Sequence, residues 1–181
     1  ERMIALQRSP WHYFQRPDAS HVEVDSQATS LTGFGGRVLL NKEKGNWMLN
    51  SAVGVMDPKF DPNDLGFISR SDVINAHTLG GYRWTAPTSW TRYAHLRAAV
   101  AASVDFDGNM TAAYVQPSGQ VQTPDFYGVE TYVRVSPMRT INNTRTRGGQ
   151  LTDNLPSWAI GLSALTETRR PVELQILAGY A

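Results

Sequence analysis

The sequence predicts an all-β protein. It reads as an antiparallel up-and-down meander, a partial transmembrane β-barrel of about nine strands. Three observations carry this. Apolar residues recur with period two along most of the chain, and no comparable stretch keeps them at helical spacing. Several of these runs reach about ten residues, the length a tilted strand needs to cross a bilayer. The connections alternate short and long, so the long ones collect on one side of the meander.

Taken in order, strands are predicted near residues 1–8, 31–41, 46–56, 72–85, 92–106, 109–119, 125–137, 157–167 and 172–181. The first would start the chain inside a strand, so the sequence is expected to be an internal fragment of a larger protein, with residues 1–181 forming one partial-barrel domain. The fifth alternates Leu96, Ala98, Val100, Ala102, Val104 and Phe106 with Arg97, Ala99, Ala101, Ser103 and Asp105. The seventh is the cleanest, with Val129, Thr131, Val133 and Val135 on one face and Glu130, Tyr132 and Arg134 on the other. In the last two, Trp158, Ile160 and Leu162 oppose Ala159, Gly161 and Ser163, and Leu174 and Ile176 oppose Glu173 and Gln175.

Lys42–Gly45, Ala86–Thr91, Gln120–Pro124 and Thr168–Pro171 are short connections. Pro10–Ser30, Asp57–Ser71 and Met138–Pro156 are long, and strand parity puts all three at one end. Asp107-Gly108, a tight-turn signal, is the one short connection on that side. Aromatic residues gather near strand ends (Trp47, Trp84, Trp90, Tyr93, Phe106, Tyr114, Tyr127, Trp158 and Tyr180), where interfacial girdles place them.

Composition narrows the function classes. Charged residues are 18 %, below the roughly 25 % of an ordinary soluble domain. The mean hydropathy is nevertheless negative, at -0.35, because Ser, Thr, Asn, Gln and Gly supply the polarity. A net charge of +1 gives no case for nucleic acid as a partner. Cysteine is absent, which excludes disulfides and thiolate metal sites. No apolar run is long enough for a transmembrane helix, and no leader segment is visible.

No catalytic constellation stands out. His12, His21, His77 and His95 form no metal-ligand spacing, so no metal or other cofactor is expected. Asp57–Gly66 is rich in oxygen but reads as Asx-Pro turns, without the calcium-loop pattern. Ser, His and Asp occur in no nucleophile-elbow arrangement. Two sets of candidate residues remain. Arg97, Glu130, Arg134, Glu173 and Gln175 sit on polar strand faces and are expected to line a wet or plugged lumen. Trp11, Tyr13, Arg16, Asp64, Phe67, Arg70, Arg145 and Arg147 lie in the long loops and are expected to gather at one end as a ligand- or partner-binding surface. The expected knitting of that end pairs the loop arginines with Asp18, Asp61, Asp64 and Asp153.

Asn63-Asp-Leu-Gly-Phe67 followed by Arg70, Gly81-Tyr-Arg-Trp84, and Thr146-Arg-Gly-Gly-Gln-Leu151 with Pro156 resemble the C-terminal barrel of the bacterial domain-of-unknown-function 5916 family. Tyr13-Phe-Gln-Arg-Pro-Asp18 and Thr29-Ser-Leu31 fit the same pattern, so the resemblance covers nearly the whole chain. It implies an outer-membrane β-barrel in a Gram-negative-type cell, with the lipid bilayer as partner. Members usually carry an N-terminal module similar to family-9 carbohydrate-binding domains, which this sequence lacks. The resemblance therefore implies a pore, transporter or assembly scaffold. The alternatives left open are an anchor for a carbohydrate-binding module outside this chain, contact with another envelope protein, a soluble carbohydrate-binding β-sandwich, or, last, an outer-membrane hydrolase.

Overall fold

The computed structural model describes residues 1–62, 70–166 and 175–180. The chain opens with a helix, α1 (Arg2–Gln7), then runs without regular structure to β1 (Gly35–Lys42). There follow β2 (Trp47–Met56), β3 (Val73–Trp84), β4 (Tyr93–Val104), β5 (Met110–Gln122) and β6 (Gly128–Ser136). A small hairpin, β7 (Thr140–Asn142) and β8 (Thr152–Asn154), precedes β9 (Ser157–Leu165) and β10 (Gln175–Tyr180). The strand expected over residues 1–8 is thus corrected to a helix. Arg2, Met3, Ala5, Leu6 and Gln7 are good helix formers. Buried Gln7 holds the end of the helix by donating from Nε2 to the Asp25 carbonyl (3.0 Å) and accepting at Oε1 from the Asp25 N–H (2.7 Å).

Eight strands form one antiparallel sheet in the order β1-β2-β3-β4-β5-β6-β9-β10, each paired with its neighbour along the chain apart from the intervening hairpin. Such a meander needs only local turns, and the strands of six to thirteen residues share long ladders. Among the described residues β1 and β10 do not pair with each other, so the sheet is open. Pro117 lies inside the central strand β5. The β5–β6 ladder runs from Val115↔Val135 directly to Ser118↔Tyr132, skipping the rows of Gln116 and Pro117. Proline has no N–H to give, and the gap falls on the side where that donor is missing.

Register sorts the side chains into two faces of opposite character. Following paired rows, Val38, Val53, Ala76, Ala102 and Ala113 share one face, as do Ala94, Val121, Val129, Ala164 and Ile176. Among the described strand residues this face carries a single charged one, Lys42, at the end of β1. It is bare, with Val38 77 %, Leu96 60 %, Val100 54 % and Ile176 54 % exposed. Trp47, Tyr82 and Trp84 cluster at its short-turn end with ring centroids 5.1 and 5.0 Å apart, and Trp158 and Tyr180 pair at 5.1 Å near the other. Tyr93 and Tyr114, grouped with these by sequence, belong to the opposite face.

The opposite face carries Arg37, Asn50, His77, Arg83, His95, Arg97, Gln116, Ser118, Glu130 and Arg134. Some neighbouring side chains bond to one another there: His77 Nε2 lies 2.7 Å from Asn50 Oδ1, and Arg97 Nε donates to Ser118 Oγ at 3.1 Å. Two glycines provide the floor. A Cβ on Gly81 would strike Arg97, and one on Gly161 would strike the Tyr132 ring that lies over it. No second layer of described residues covers the sheet. Among the described residues the buried hydrophobic side chains are Phe14, Val22 and Ala52 alone.

Candidate functional site

Packing concentrates at one end of the sheet. The segment before β1, the β2–β3 connection, the β4–β5 turn and the β6–β9 connection all lie at the end where β1 begins and β2 stops. Most buried residues here are polar, and they bond across segments far apart in sequence.

Asp72 is the hub. It is 4 % exposed and holds a left-handed backbone, φ 58°, which an Asp tolerates better than most residues. Its Oδ2 accepts from Arg16 Nη2 at 2.9 Å, and its Oδ1 accepts from the Phe106 N–H at 3.0 Å and lies 2.9 Å from His21 Nε2. The other ring nitrogen of His21 lies 2.8 Å from Asp107 Oδ2. Ser20 also donates to Asp107, through its N–H at 3.0 Å and through its hydroxyl. With its amide oxygen turned toward them, Asn143 accepts from Arg16 Nη1 and Arg70 Nη2, both at 3.2 Å. One acid therefore ties the first segment to the second and third, and one amide ties in the fourth.

Electrostatics follow from this geometry. Burial pulls the Arg70 guanidinium below its ordinary pKa. Asp72 and Asp105 work against that, while Arg16 adds to it. For Asp107 burial acts to raise the carboxyl, but the Ser20 and His21 contacts outweigh it and leave its pKa below the ordinary value. Asp105 makes an Asx turn, accepting at Oδ1 from the Asp107 N–H (3.1 Å) and the Asn109 N–H (2.8 Å).

A second cluster surrounds His12, which lies within 2.7 Å of the Pro58 carbonyl and 2.9 Å of Ser71 Oγ. The Trp11 carbonyl accepts from the Ser71 N–H (2.9 Å) and hydroxyl (2.7 Å). The Trp11 side chain and Phe60 line a cleft of about 690 Å³ beside α1.

The loop residues singled out by sequence are distributed as follows. Arg16 and Arg70 meet at Asp72 and Asn143. Tyr13 and Arg147, both with positive φ, lie in facing turns, and the Tyr13 ring packs beside Gly148. Trp11 borders the cleft, and Arg145 belongs to the β7–β8 hairpin, donating to Asn154 Oδ1 at 2.8 Å. Asp64 and Phe67 lie outside the described residues.

The lumen candidates divide similarly. Arg97 pairs with Glu130 at 3.2 Å. Arg134 donates to Gln116 at 2.7 Å and stacks 4.7 Å over the Tyr114 ring. Gln175 falls opposite Leu165 in register, and Glu173 lies outside the described residues.

The pairing of loop charges differs from expectation. Arg16 takes Asp72, while Asp153 takes Arg139 at 2.8 Å and Asp18 accepts the Leu151 N–H at 2.6 Å. Asp72, Asp105, Asp107, Ser71 and Asn143 were missed because each sits at or near a strand end, where it reads as an ordinary turn residue. The Asp105-Phe-Asp-Gly108 turn was the one available signal.

Comparison with known proteins gives one match. The family model described as Domain of unknown function (DUF5916) covers residues 4–181. No curated protein matches the chain, and no solved structure does.

Proposed function

The chain belongs to the DUF5916 family, and from that premise and the two-faced sheet we propose that it is part of an outer-membrane β-barrel serving as a pore, transporter or assembly scaffold. The observation that carries the reading is the bare apolar face. Eight strands present Val, Leu, Ile, Ala and aromatic side chains outward, with arginines, histidines and amides on the reverse. In water the exposed rows would favour association, since roughly 25 cal/mol is gained per Å² of apolar surface removed. In hydrocarbon they need no cover. The aromatic groups at both ends of that face suit the two interfaces. A soluble β-sandwich would need a second layer packed on the same rows.

Lipids brominated along their acyl chains provide the test. In vesicles of such lipids, fluorescence from Trp47, Trp84 and Trp158 should be quenched. Replacing those three and Trp90 by Phe should leave the emission of Trp11, in the loop end, which the bromines quench much less. Equal quenching before and after the replacement, or none at all, overturns the embedded reading.

A further inference from the structure

We propose that the loop end of the polar face holds a binding site for small anionic solutes bearing a phosphate or carboxylate, built around Arg134 and Arg145; the proposal rests on the barrel reading for the direction in which this face points. The β7–β8 hairpin leans against β5 and leaves a recess of about 660 Å³ where the polar face meets the loops. Tyr114, Arg134, Ser136, Arg145, Asn154 and Ser157 line it.

Both arginines are held in place by neutral groups. Arg134 Nε donates to the Gln116 amide oxygen at 2.7 Å, and its guanidinium is steadied by the Tyr114 ring. Arg145 donates from Nη2 to the Asn154 amide oxygen at 2.8 Å and from Nη1 to the Asp153 carbonyl at 3.5 Å. Among the described residues the one carboxylate lining the recess, that of Asp153, is taken by Arg139. Among the described residues no carboxylate pairs with Arg134 or Arg145. Two fixed guanidinium groups with donors to spare, next to serine hydroxyls, match the oxygens of a phosphate or carboxylate.

The rest of the polar face has the same sign. Its described strand residues include Arg37, Arg83, Arg97 and Arg134 against Glu130 alone, four positive charges to one negative. Glu130 is engaged by Arg97, and Arg83 is bonded to the Glu43 and Gly45 carbonyls. A solute leaving the recess along this face would meet further arginines, the arrangement that favours anions in a pore.

Two measurements separate the site from the pore. The first is calorimetric titration of the purified protein in detergent micelles with inorganic phosphate, with circular dichroism confirming that each variant keeps its strands. Saturable binding is expected. It should weaken by about tenfold or more in an Arg134→Gln/Arg145→Gln double variant, the scale of losing charge-assisted hydrogen bonds. It should be partly retained in Arg134→Lys. No saturable binding, or binding indifferent to the double variant, overturns the site. The second is the reversal potential, in a planar bilayer under a potassium chloride gradient, of the full-length protein to which this sheet belongs, expected to show a preference for chloride that falls in the double variant. Phosphate binding without conductance leaves the site standing and removes the pore. Conductance without a phosphate site overturns the proposal and keeps the pore, and a preference for potassium overturns the anion-favouring path along the polar face.

Discussion

At the scale of single residues the loop end depends on Asp72. It neutralises Arg16, contacts His21 and accepts a backbone N–H within a buried setting. Removing one partner of a buried pair leaves the other charge uncompensated, at a cost of about 3 kcal/mol or more. Asp72→Asn is therefore expected to loosen the loop end selectively. Limited proteolysis should cut within residues 10–30 far faster, while the strand signal in circular dichroism holds. A cleavage pattern identical to that of the parent protein would count against the hub. Asp107 adds a dependence on pH. Its folded-state pKa lies below the unfolded value of about 3.9, so its contribution is fully present above that value and is lost as pH falls through the folded one. Acidification through that folded value should release the Ser20–His21 segment, and Asp107→Asn should abolish that acid transition.

Among the elements, the strands were legible because period two survives burial on either face. Val129 to Val135 alternate in the structure as they do in the sequence. Two elements were not legible. A six-residue run such as Arg2–Gln7 is too short for helical and strand periods to be told apart, and what holds the helix is Gln7 bonding to Asp25, a contact 18 residues away. The β7 and β8 strands have three residues each, too few to show any period. Alternation also supplies a sharp test of the faces. Val100 and Ala101 are adjacent on β4, and register assigns them to the apolar and polar faces respectively. Val100→Arg is expected to cost about 2–4 kcal/mol in lipid if its row lies near the bilayer midplane, and Ala101→Arg little. Folded yield in vesicles, read by resistance to protease, decides between them; equal losses would mean the faces are assigned wrongly.

For the whole molecule, the end at which the long loops gather was legible, because strand parity alone dictates it. The loop chemistry was not. Which acid meets Arg16 depends on how four segments fold over one another, and sequence spacing holds no trace of a contact such as Arg16–Asp72, 56 residues apart. The division of labour is nonetheless clear. The sheet meets its surroundings through apolar rows that stay exposed, while the interior of the loop end is joined by hydrogen bonds and ion pairs.

That division has a calorimetric consequence. The heat-capacity rise on unfolding comes from wetting apolar surface, about +0.45 cal/K/mol per Å², and wetting polar surface lowers it by about 0.26. The buried set includes Gln7, His12, Arg16, Ser71, Asp72, Asp105 and Asn143, with Phe14 and Val22 as its apolar members near the loops. Opening of the loop end should then absorb heat with almost no change in heat capacity. Its stability would fall nearly linearly with temperature, without the downturn toward the cold that an apolar core produces, and because its Arg16–Asp72 pair is buried, added salt would shift its midpoint little. Differential scanning calorimetry over a range of ionic strength would register it as a separate, flat-baselined transition.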